Sequence, residues 1–187
     1  MIDIWLEMHA QTSHNVQGIA SGHYDVALTA QGRDHAQTVL RSRYAGQRYD
    51  AAYTSNTQRA YDTARLMFAD RPIAIVQDAR LRECDYGAYE GRPRHQMEAA
   101  RPAAIDTPFP GGESFSQVVE RMRSFLLDLA GERDGQSLML IGHAATLFTL
   151  RHLLERRPLE ETVGEWPQRP WRFSLLPSEW REERVST

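Results

Sequence analysis

The chain contains no lysine. All 22 of its basic residues are arginine, which excludes a Schiff-base lysine and a lysine-bearing phosphate loop. Arginine offers a planar fork suited to carboxylate and phosphate instead. Cysteine is almost as scarce: the lone Cys84 excludes an internal disulfide and a cysteine-built zinc cluster. No apolar run approaches the roughly 20 residues of a membrane-spanning helix, and no basic start precedes an apolar stretch. The expected location is therefore the cytoplasm, without membrane attachment. A formal net charge of −3 leaves no basic surplus for nucleic acid. The length, 187 residues, suits a single domain, 1–187, that buries about 70% of its unfolded surface.

What is present alternates between two periods. The apolar run IDIWLEM (2–8) reads as a buried strand. Leu28, Ala36, Val39 and Leu40 fall near helical spacing behind Thr29, a good N-cap. YDAAYTS (49–55) is a second strand, followed by a helix in which Ser55 and Gln58 fit a capping box. PIAIVQ (72–77) is a third strand. Regularity fails from 81 to 112, where Gly and Pro recur, except for a helix near 93–101. ESFSQVVERMRSFLLDLAGE is an amphipathic helix ending at Gly131, QSLMLIG a fourth strand, and HAATLFTLRHLLER the helix after it. In the tail, TVGEW and WRFSLL read as edge strands. The alternation predicts an α/β, three-layer sandwich, a mainly parallel central sheet between helices.

In open α/β sheets, sites lie beyond the carboxyl ends of the strands. Strand one ends at His9. Strand two ends at Thr54-Ser55, opening a helix whose first turn carries Arg59. Strand four ends at Gly142-His143 and opens another helix. Singly, each of these residues has an ordinary use in packing, capping or solvation. Jointly, two imidazoles, a guanidinium and two helix N-termini point to one bound anion, and phosphate is the obvious one. His14, His23, His35 and His152 show no ligand-like grouping, so no metal is expected.

Six stretches resemble, in order, the motifs of the histidine phosphatase superfamily, the phosphoglycerate mutase-like proteins. EMHAQTSHN resembles the opening Arg-His-Gly-Glu-Thr-x-x-Asn. GHYDVALTAQGRDHA, TSNTQRAYDTA, LRECDYGAYEG, PGGESFSQVVERM and LMLIGHAATL resemble the later ones, over residues 2 to about 154. The resemblance implies a phosphomonoester hydrolase of the phosphatase branch with a phosphoglycerate mutase-like fold and no cofactor or metal. Its partner would be a small phosphorylated substrate, and its lid a small insertion at about 84–113. It implies His9 as the phosphorylated nucleophile, Glu83 as general acid and base, and His143 as stabiliser of the transferring group. Arg59 and Asn15 would bind phosphate, with help from Thr12 and the Ala144 amide. Asp85, two residues on, is the competing carboxylate for Glu83. Cys84 is expected to pack rather than react. Arg92, Arg94 and His95 of the lid have two readings, contact with distal parts of a substrate or, the preferred one, a solvated loop.

Three positions depart from the family pattern: Met8 stands for its arginine, Ala10 for its glycine and Gln11 for its glutamate. A thioether cannot donate a hydrogen bond, so Met8 removes one phosphate clamp. Arg33, Arg82 or Arg92 could replace it from elsewhere in the fold. Two other readings follow: a pseudophosphatase that binds a phosphorylated ligand or partner without turnover, and a phosphoglycerate-type mutase. Trp166, Trp171 and Trp180 could cover the core or form a dimer contact, so oligomeric state stays open.

Overall fold

In strand β1 (Ile2–Met8), Ile2, Ile4 and Leu6 are fully buried on one face, while Asp3, Trp5 and Glu7 face the other. In the computed structural model, which describes residues 1–180, β1 lies inside a five-stranded sheet. It runs parallel to β4 (Ser137–Gly142), with Met8 opposite Gly142. Beyond β4 come β2 (Ala51–Thr54) and β3 (Ala74–Gln77), all parallel. On the other side, β5 (Trp171–Leu175) pairs antiparallel with β1 and closes the order β3-β2-β4-β1-β5.

Helices cover both faces. One layer holds α6 (Phe115–Glu132) and α7 (Ala144–Glu155) over Ile2, Ile4, Leu6, Leu138 and Leu140. The other holds α2 (Ala30–His35), which passes through a π-helical turn (Ala36–Leu40) into α3 (Arg41–Tyr44), and α4 (Gln58–Met67). Each fully buried large side chain, such as Phe125 or Phe148, contributes about 1.5–3 kcal/mol of burial. Among the described residues no helix is long and apolar enough to cross a membrane.

Most predicted elements appear within a few residues of their expected bounds, including α5 (Arg94–Ala100). Thr29 caps α2 through the Gly32 amide, and Ser114 with Gln117 forms the capping box of α6. Three details differ. A short helix α1 (Ser13–Gln17), capped by Thr12, follows β1 at once. The helix expected from Ser55 starts at Gln58 behind Thr57, because the Ser55 hydroxyl is taken by His143. TVGEW forms no strand: α8 (Leu159–Thr162) ends inside it and a turn follows.

Gly32 has a packing reason. A Cβ there would lie 2.2 Å from the Gln11 carbonyl oxygen, so α2 can press directly on the loop after β1.

Candidate active site

Sheet order brings the two histidines together. Because β1 and β4 are neighbours, the His9 amide donates to the Gly142 carbonyl at 3.1 Å, and the His9 and His143 ring centroids lie 5.2 Å apart. Beside them a cavity of about 450 Å³ is bordered by Met8, His9, Asn15, Arg59, Glu83 and Ala144, among others. His143 is almost fully buried and does not itself border the cavity.

The His9 ring is fixed in one tautomer. Its Nδ1 lies 2.8 Å from the Ala10 carbonyl, which can only accept, so Nδ1 carries the hydrogen and Nε2 keeps the lone pair. Burial, then the nearby Arg59 and Arg94 charges, push its pKa down to about 3. His143 is likewise held well below the usual imidazole range by burial and by Arg59. Its Nε2 lies 2.7 Å from the Ser55 hydroxyl, which is itself 2.9 Å from that of Thr57.

The shifts set a pH dependence. Both rings are neutral in the folded chain where free imidazole, with its ordinary value of 6.5, would charge. The unfolded chain therefore binds protons first as pH falls, so stability is level above about 6.5 and declines towards pH 3. His9→Gln should flatten part of that decline in denaturation curves. The His9 imidazole NMR resonances should stay unshifted from pH 8 to about 4.5.

Arg59 points both ends of its fork into the 22–24 loop, donating from Nη1 to the Tyr24 carbonyl at 2.7 Å and from Nη2 to Gly22 at 2.8 Å. The buried Nε has no partner among the described residues. Thr12 is fully buried and does not border the cavity. Its amide and hydroxyl donate to Asn15 Oδ1 at 2.9 and 3.0 Å. That fixes the Asn15 amide and leaves its nitrogen as a donor.

Glu83 sits on the start of α7. Its Oε2 accepts from the Ala144 amide at 3.1 Å, and its Oε1 from Ala145 at 3.1 Å and from Cys84 at 2.9 Å. The Ala144 amide, expected to face phosphate, thus meets Glu83. Arg121 of α6 braces this loop, donating to the carbonyls of Arg80, Arg82 and Glu83 and pairing with Glu113 at 3.0 Å. His23 Nε2 adds a bond to the Glu83 carbonyl at 3.0 Å. Asp85 turns away, accepting from the Gly87 amide. Cys84 is fully buried, and burial beside Glu83 pushes its thiol far up.

None of the arginines suggested as a replacement for the missing clamp borders the cavity. Arg33 lies 3.8 Å from Asp62, Arg82 donates to Asn56 at 2.7 Å, and Arg92 is exposed. Four arginines do border it: Arg59, Arg94, Arg101 and Arg169. Arg94, expected in a solvated loop with Arg92 and His95, is half-buried on its wall. Trp166, exposed by 54%, borders the same cavity, whereas Trp171 and Trp180 are buried. No signal of spacing marked Arg101 or Arg169, which the fold brings to the cavity from distant parts of the chain. Among the described residues no three His, Cys, Asp or Glu side chains gather as a metal would need.

The model of the histidine phosphatase superfamily (branch 1) matches residues 4–176. The chain is 32% identical over 168 residues to the adenosylcobalamin/alpha-ribazole phosphatase of Escherichia coli, covering 84% of this chain and 81% of that protein. It is 28% identical over 172 residues to phosphoglycerate mutase-like protein 4 of Arabidopsis thaliana, covering 86% and 74%. The solved structure of YhfR from Bacillus stearothermophilus matches with a TM-score of 0.77 at 28% identity, covering 91% of this chain and 88% of that one.

Proposed function

The chain belongs to the histidine phosphatase superfamily, and from that premise we propose that it hydrolyses small phosphomonoesters through a phosphohistidine on His9. The observation that carries this reading is the fixed His9 tautomer. Its Nδ1–H is spent on the Ala10 carbonyl, so the Nε2 lone pair is the available nucleophile beside a cationic cavity.

In the proposed first step Nε2 bonds to phosphorus while the phosphorus–oxygen bond to the leaving group breaks, its electron pair going to that oxygen. Glu83 supplies the proton. Oε2 accepts one amide bond and keeps a second lone-pair position for that proton. In the second step Glu83 takes a proton from water, the water oxygen bonds to phosphorus, and the phosphorus–nitrogen pair returns to Nε2. His143, Arg59 and Asn15 would hold the phosphoryl oxygens, with Thr12 orienting Asn15.

A phosphate-release panel tests the reading. Sugar phosphates, phosphoglycerates, nucleotide monophosphates, phosphoserine and α-ribazole 5′-phosphate should include at least one ester turned over well above background, and His9→Ala should release none. Met8 favours a second reading, since it leaves a cavity residue without a donor: a pseudophosphatase would bind the esters and release nothing. A mutase would move phosphate between isomers of phosphoglycerate, which the same panel detects.

A further inference from the structure

We infer that Arg94, on the first turn of α5, supplies the phosphoryl clamp that Met8 lacks, so that the second guanidinium of the phosphate site comes from another part of the chain. The inference rests on the proposed phosphate site and names a residue of it.

Arg94 is the available cation. Arg59, the first guanidinium, gives one N–H from each fork end to the Tyr24 and Gly22 carbonyls and keeps its other N–H groups for the anion. Arg101 lies 3.8 Å from Glu98 and is stacked 5.7 Å over the Phe148 ring. Arg169 pairs with the buried Glu7 and lies 4.4 Å over the Trp171 ring. The Arg94 side chain has no hydrogen bond or ion pair among the described residues, yet it is half-buried on the wall that Met8 and His9 share. A desolvated guanidinium without an anion is unfavourable, and an incoming phosphate dianion would remove that cost.

Its backbone is held to the segment that follows α1. The Arg94 amide donates to the Gly18 carbonyl at 2.7 Å, and the Ala20 amide to the Arg92 carbonyl at 2.9 Å. The Gly91 amide returns a bond to Ala20 at 2.9 Å. Residues 91–94 are thus stitched to the segment just beyond α1, which carries Asn15. The side chain starts from a fixed point rather than from a mobile flap, so little ordering is left for the ligand to bring about. Its charge already acts on His9.

Calorimetric titration with inorganic phosphate, which has no leaving group, separates a clamp from a contact to the rest of a substrate. Arg94→Gln should weaken phosphate binding about tenfold or more, the size of a charge-assisted bond. Met8→Arg added to Arg94→Gln should restore affinity to within about threefold of the parent. Met8→Arg alone should gain much less than it gains in the Arg94→Gln background. Arg94→Lys, keeping the charge without the fork, should fall between. Arg94 makes no side-chain bond among the described residues, so melting curves of its variants without phosphate should not fall below the parent's.

The inference is overturned if Arg94→Gln binds phosphate like the parent, or if the double variant, folded by its melting curve, stays as weak as Arg94→Gln. A parent that releases no phosphate but shows this pattern retires the hydrolase reading and leaves the clamp standing. A parent that binds no phosphate overturns both.

Discussion

His9→Ala should lose turnover by about a thousandfold or more and, with it, any phosphoryl label on the protein. Rapid quenching of the parent with a substrate labelled in phosphorus should leave a group that acid releases and base does not, as a phosphorus–nitrogen bond behaves. The effect is large because no neighbour can take over. Ser55 is fully buried with its hydroxyl on His143, and Cys84 is fully buried with its thiol held protonated. The His9 side chain makes one hydrogen bond, to the adjacent Ala10 carbonyl, and packs against the His143 ring, so the variant loses little of the fold and should still bind inorganic phosphate. Label that survives in His9→Ala, or that maps to a serine, would show that the nucleophile is misassigned.

The sequence displays the parts of this site more clearly than their assembly. IDIWLEM, AAYT and SLMLIG read as strands because they are short, mainly apolar runs bounded by polar or turn residues, and the residues after them mark the carboxyl edge. That His9 and His143 touch depends on β1 lying next to β4, a pairing between residues 134 apart in the chain, such as Asp3 and Ser137, that no local pattern encodes. Local rules also fail where tertiary contacts outbid them. Ser55-x-x-Gln58 has the form of a capping box, but the serine hydroxyl goes to His143 and the helix starts later. Arg94 looks like a solvated loop residue until the bonds between residues 91–94 and 18–20 draw it to the cavity. The Glu7 carboxylate hides inside an apolar run, and only the fold reveals its partners Arg43, Arg169 and Tyr44. Family resemblance covers the positions that match. Where the chain departs from the pattern, at Met8, family resemblance alone does not say which residue would hold the phosphate there.

Glu83→Gln should separate the two halves of the proposed reaction. An alkyl phosphate has a basic leaving oxygen and needs a proton as its bond to phosphorus breaks, so turnover should fall by about a hundred- to ten-thousandfold. A nitrophenyl phosphate has a leaving group stable as an anion, so phosphorylation of His9 should proceed with little loss. Water attack still lacks its base, and phosphohistidine should accumulate behind a burst of nitrophenol. The substitution has a structural cost that must be kept apart from this. The two carboxylate oxygens accept from the amides of Cys84, Ala144 and Ala145, and a glutamine can offer only one oxygen to them, leaving its NH2 group against an N–H donor. Glu83→Ala removes that clash and serves as the companion variant. If both variants slow the alkyl and the nitrophenyl ester equally and neither accumulates label, Glu83 is not moving the proton. Its carboxylate would then act only by bracing the start of α7, and the acid would have to be sought among the other groups on the cavity wall.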